Sequence, residues 1–73
     1  MQTLGKRLKM FRGGVGITKT ELSIRSQLSR ACISEIESDT HSNVTVFTLC
    51  SLCKALNVTP NDLIPKEYYS NRE

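Results

Sequence analysis

The chain has 73 residues, 38% of them hydrophobic and 23% charged, with a formal net charge of +3. That length fits one small domain, no apolar run approaches the ~20 residues needed to span a bilayer, and the odd cysteine count without a secretory leader argues against a disulfide framework. The expectation is a cytoplasmic, nucleoid-associated protein with reduced thiols. The charge is unevenly spread. Residues 1–34 hold seven basic side chains (Lys6, Arg7, Lys9, Arg12, Lys19, Arg25 and Arg30) against Glu21, whereas residues 35–73 hold six acidic side chains against three basic ones. Such a split is the footprint of one side that faces a polyanion, and small domains also show it by chance.

In chain order, Thr3 predicts the cap of a first helix over about residues 2–13, with Leu4, Leu8 and Phe11 on its apolar side. The glycine-rich GGVG at 13–16 ends it. Thr18 and Glu21 have the spacing of a capping box, and Ile17 can staple onto Leu22, so a second helix runs from Lys19 to about Ser26. It is too short to persist alone and must be held by packing. Ser29 caps a third helix whose apolar residues are Ile33 and Ile36, with Leu28 just outside it. Only Ser26 to Leu28 separate these two helices, and so short a connection forces the sharp corner of a helix-turn-helix.

DTHSN at 39–43 reads as a polar loop. Thr45 then caps a fourth helix with a stripe of Val46, Leu49, Leu52, Cys53 and Leu56, closed by Asn57 in the left-handed region. Thr59 as cap, Pro60 as first helical residue and Asp62 as box partner open a short last helix holding Leu63 and Ile64, which Pro65 stops. No segment alternates as a strand would. The expected fold is all-α, with five helices in one domain over residues 1–65 and a polar tail over 66–73.

A helix-turn-helix that reads DNA lays its second helix in the major groove, with the N-terminal residues of that helix at the base edges. Such a helix needs an apolar stripe on one side and short or hydrogen-bonding side chains on the other. Here Leu28, Ile33 and Ile36 supply the stripe, and Ser29, Arg30, Ala31, Cys32, Ser34 and Glu35 the other side. Arg30 suits the O6/N7 pair of guanine, Glu35 can accept from cytosine N4, and Ala31 or Cys32 can meet a thymine methyl. A solvated surface helix shows the same periodicity, so pattern alone leaves both readings open. The CSLC pair, Cys50 and Cys53, has the spacing of half a zinc site, but no second pair follows it and Cys53 falls in the apolar stripe. No nucleophile–base pair or carboxylate cluster stands out. The chain is therefore expected to be no enzyme and to need no metal, cofactor or small-molecule ligand.

In order and spacing, LGKRLKMFR at 4–12, Thr18 opening the second helix, LSRACISEIE at 28–37 and KALNVTPNDLI at 54–64 resemble the phage-repressor and Cro-type helix-turn-helix family, also called the xenobiotic response element family. The resemblance spans about residues 4–64. It implies a five-helix, lambda-repressor-like DNA-binding domain, usually a homodimer on a pseudo-palindromic operator. It also implies base-reading positions at Arg30, Ala31 and Glu35, with Cys32 and Ser34 beside them. Backbone or phosphate contacts fall on Thr18, Lys19 and Ser29, on the loop residues Ser42, Asn43 and Thr45, and on Arg12 of the basic first helix. Val58, Leu63 and Ile64 with Tyr68 and Tyr69 either complete the core or leave an apolar patch that a second copy covers; the small core favours the second, with Leu63, Ile64, Tyr68 and Tyr69 as the expected dimer contacts. The sequence departs from the family at the turn, where Gln27 replaces the usual glycine, and at Lys19, Ser23 and Ser26, which replace a usual glutamine, alanine and leucine. Phage or plasmid repressors and the controller proteins of restriction–modification systems are of this size. A protein-interaction module or antitoxin of the same fold is the alternative reading. With no effector segment in these 73 residues, control is expected to work through protein concentration and operator affinity.

Overall fold

The computed structural model describes residues 3–40 and 44–65. Five helices account for most of them: α1 (Leu4–Val15), α2 (Lys19–Ser26), α3 (Arg30–Glu37), α4 (Val46–Leu56) and α5 (Pro60–Leu63). Among the described residues there is no strand. Every helix begins at a serine or threonine. The hydroxyls of Thr3, Thr18, Ser29 and Thr45 each accept from the backbone N–H three residues on, at 3.0–3.2 Å. At α5 the Asp62 carboxylate accepts from both the N–H and the hydroxyl of Thr59, at 3.0 and 3.1 Å. Those two bonds hold the Asp62 carboxyl below its ordinary pKa. Each such cap contributes about 1 kcal/mol, which matters for helices of four to twelve residues.

The caps fall where the sequence puts them, and the end of α1 and the box at α2 differ. α1 runs on through Gly13 and Gly14 to Val15, and the chain turns only at Gly16, whose φ of 84° is left-handed. Glycine inside a helix costs about 1 kcal/mol and is tolerated; the turn needs a glycine only where φ becomes positive. At α2 the capping box is not reciprocal, because the Glu21 carboxylate turns to Arg25 at 3.0 Å.

Leu8, Ile17, Leu22, Ile33, Ile36, Leu52, Cys53, Leu56 and Leu63 form one buried core. α1 packs on α3, α2 on both α3 and α4, and α5 closes the space between α1 and α4. Val46, expected in the stripe of α4, is instead 76% exposed, the first residue of the helix and beside Phe47 at 80%. Leu63, expected at a dimer interface, is fully buried in the core of the domain and has no surface to offer a second copy.

α1 crosses the end of α3 at Gly5. A β-carbon there would run into the Ile36 carbonyl and lie 2.7 Å from the Asp39 carboxylate and 2.9 Å from the Glu37 carbonyl. Asp39, itself left-handed with φ 62°, accepts from the Thr3 hydroxyl at 2.7 Å and from the Gly5 N–H at 3.2 Å, so the residues after α3 cap the start of α1. Gly5→Ala is expected to lower stability by about 3 kcal/mol, because the obstructing atoms are mostly backbone and cannot yield. Denaturant unfolding reads this as a lower midpoint at unchanged slope; an unaltered midpoint would mean that α1 does not cross α3 at this point.

Candidate nucleic-acid interface

α2, the turn and α3 form the corner that the sequence predicts. α2 ends at Ser26, Gln27 takes the left-handed conformation with φ 62° and ψ 27°, and its N–H donates to the Ser23 carbonyl. Ser29 then opens α3. Ile33 and Ile36 are buried and Leu28 packs against the core, which fixes the inner side of α3. Ser29, Arg30, Ala31 and Glu35 are exposed, so the structure brings them together on the outer side at the helix N-terminal half. Thr18 is exposed at the start of α2.

The neighbouring positions are less open. The Lys19 ammonium lies 3.4 Å from the Ser34 hydroxyl, a bridge from the start of α2 to the middle of α3 that puts a positive charge beside the outer side of α3. Cys32 is half-buried and packs against the core. Burial, and then the charge of Glu35, push its thiol pKa up, so it presents a neutral, weakly polar edge. Thr45 is exposed at the first turn of α4, with its hydroxyl shared with Thr48. Ile64 is half-buried. Ser42, Asn43, Tyr68 and Tyr69 lie outside the described residues.

Arg12 departs from its expected phosphate role. Its guanidinium turns inward, with Nε 2.6 Å and Nη2 3.1 Å from the two Glu37 oxygens, and Nη1 donating to the Ile17 carbonyl at 3.0 Å. The side chains are 15% and 4% exposed, so the pair is shielded from water. The hydrogen bonds that Arg12 donates to Glu37 raise the guanidinium pKa, against the opposing effect of burial, and Arg12 stays charged. Glu37 was missed as a buried partner because it sits in a polar stretch. The signal was its spacing: Glu37 follows Ile33 by four residues and therefore shares its inward side, where a carboxylate needs a cation. The pair ties the end of α1 and the lead-in to α2 to the end of α3.

Among the described residues, no three His, Cys, Asp or Glu side chains gather as a metal site. Cys50 is exposed and Cys53 buried, where desolvation raises the Cys53 thiol pKa. None of the helices is long and apolar enough to cross a membrane, among the described residues.

A family model described as the Cro/C1-type HTH DNA-binding domain matches residues 7–65. The chain belongs to that family. Among solved structures, it is similar to the restriction-modification controller protein C.AhdI from Aeromonas hydrophila, with a TM-score of 0.80, 28% identity and coverage of 84% of this chain and 91% of that one. It is also similar to a mutant of the restriction-modification controller protein C.Esp1396I, with a TM-score of 0.76, 28% identity and coverage of 93% and 92%. No curated protein sequence matches the chain. The Cro/C1-type domain is a DNA-binding unit.

The inward turn of Arg12 has a measurable consequence. Removing either Arg12 or Glu37 alone is expected to cost about 3–5 kcal/mol, because the other charge is left buried. The double variant Arg12→Met with Glu37→Leu is expected to fold and to bind random duplex DNA with the wild-type salt dependence. A phosphate contact at Arg12 would instead lower the log–log salt slope by about 0.9.

Proposed function

We propose that the chain is a sequence-specific transcriptional regulator, a repressor or an autoregulating controller, that binds a pseudo-palindromic operator as a homodimer. The observation that carries the reading is the division of α3. Its inner residues are locked into the core, while Arg30, Ala31 and Glu35 face outward with nothing of the protomer over them. In the major groove, Arg30 would donate to guanine O6 and N7, Glu35 accept from cytosine N4, and Ala31 meet a thymine methyl, with Ser34 and the Lys19 ammonium beside them and the Cys32 edge beneath. The exposed N-termini of α2, α3 and α4, at Thr18, Ser29 and Thr45, suit backbone phosphates. Likeness to two restriction-modification controller proteins supports a regulator. The small core and the exposed Val46 and Phe47, at 76% and 80%, support a second copy. With Leu63 committed to its own core, Ile64 remains of the described residues expected at that interface.

Two measurements test this reading. Affinity for random duplex DNA across a salt series is expected to fall steeply, as neutralised phosphates release counterions; no binding at low salt sinks the DNA reading. Selection of bound sequences from a randomised pool is expected to return an inverted repeat whose half-sites lie one helical turn apart, about 34–36 Å, or a multiple of it. A single unrepeated half-site sinks the homodimer. On the selected site Arg30→Ala is expected to cost about 1–3 kcal/mol and to relax preference at one base pair, and an equal loss on random DNA would reassign Arg30 to phosphate.

A further inference from the structure

The turn between α2 and α3 carries a conflict and its resolution. Gln27 is left-handed, with φ 62°, and a side chain there costs about 1–2 kcal/mol that glycine would not. Such a conformation persists only where its surroundings over-determine it. Here the surroundings are two hydroxyls from the last turns of α2. The Ser23 hydroxyl donates to the Leu28 carbonyl, and the Ser26 hydroxyl accepts from the Leu28 N–H at 3.3 Å. Both backbone polar groups of Leu28 are thus held by side chains, and Ser26 does so from a buried position, 5% exposed. Leu28 directly precedes Ser29, the cap of α3, so the plane of its peptides sets the direction in which α3 leaves the turn.

We propose that Ser23 and Ser26 are positioning residues that aim the recognition helix: the two hydroxyls clamp Leu28, and through it fix how Arg30, Ala31 and Glu35 meet the bases. Neither serine reaches the outer side of α3, so neither touches DNA in this role. The inference rests on the DNA-binding reading above. It accounts for two departures from the family together, since serine at 23 and 26 supplies the restraint at the turn where Gln27 supplies strain.

The test compares wild type, Ser23→Ala, Ser26→Ala and the same changes with Gln27→Gly. Each is measured on two probes at one salt concentration: the duplex that wild type enriches from a randomised pool, and a random duplex of equal length. Melting of each variant is recorded alongside. Alanine is the better helix former, so the helix itself is not weakened. The expected result is a fall of about tenfold in the ratio of the two affinities, the scale of one lost base contact, with random-duplex binding nearly unchanged. Gln27→Gly is expected to recover melting temperature by relieving φ strain and to leave the ratio low. If the ratio keeps its wild-type value in the folded variants, or recovers together with melting temperature, the serines serve stability only and the proposal is overturned. Should an alanine variant fail to fold alone, its Gln27→Gly partner carries the same comparison. Failure of wild type to bind the random duplex at low salt is a separate outcome, which overturns the DNA reading and this inference with it.

Discussion

The Glu37 carboxylate lies at the end of α3, 4% exposed, against the residues that close the core. A charge at that depth is tolerable only with a cation held in good geometry, and Arg12 meets the requirement with two parallel bonds plus a third to Ile17. Ion pairs of this kind add little net stability compared with well-packed apolar side chains. Their effect is on which arrangement is allowed, because any packing that separates the two groups strands a charge. The pair joins three points of the chain at once, at the end of α1, the residue before the cap of α2 and the end of α3. The orientation of the α2–α3 corner follows from that joint, from the Gly5 crossing and from the hydroxyl bonds at Leu28.

The recognition helix has no independent existence. α3 has eight residues and α2 has eight, well short of the length at which a helix persists in water. Each is stable only while Leu22, Ile33 and Ile36 share the core with Leu8, Leu52 and Leu63. Whatever loosens the core therefore disorders the outer side of α3 as well, and a bound duplex stabilises the whole domain by mass action.

How legible all this was in the sequence depended on the range of the interaction. Helix starts were readable because each is decided within four residues, by a hydroxyl and the N–H it accepts from. The left-handed Asn57 and the Thr59–Asp62 box were readable for the same reason. The end of α1 was not, since three glycines in four residues left open which of them takes positive φ. The outer side of α3 followed from period alone, whereas its inner carboxylate did not, because Glu37 was grouped by charge rather than by side. Arg12 was misjudged with it. Val46 and Leu63 exchanged places, one outward and one inward, because the start of α4 and the seat of α5 are set by contacts with α2 and α1 far away in sequence.

The helix boundaries have a further property. Three of the five starts, those of α2, α3 and α4, are held by neutral hydroxyls alone, α1 and α5 add the Asp39 and Asp62 carboxylates, and the Arg12–Glu37 pair is shielded from water. Dissolved ions screen exposed charges over about 8–10 Å and reach buried pairs far less. The fold is accordingly built from interactions that ionic strength barely changes, while an interface to phosphates is built from those it changes most. In this domain the two responses separate, so ionic strength acts as a dial on occupancy of the nucleic acid that leaves the architecture of the protein in place.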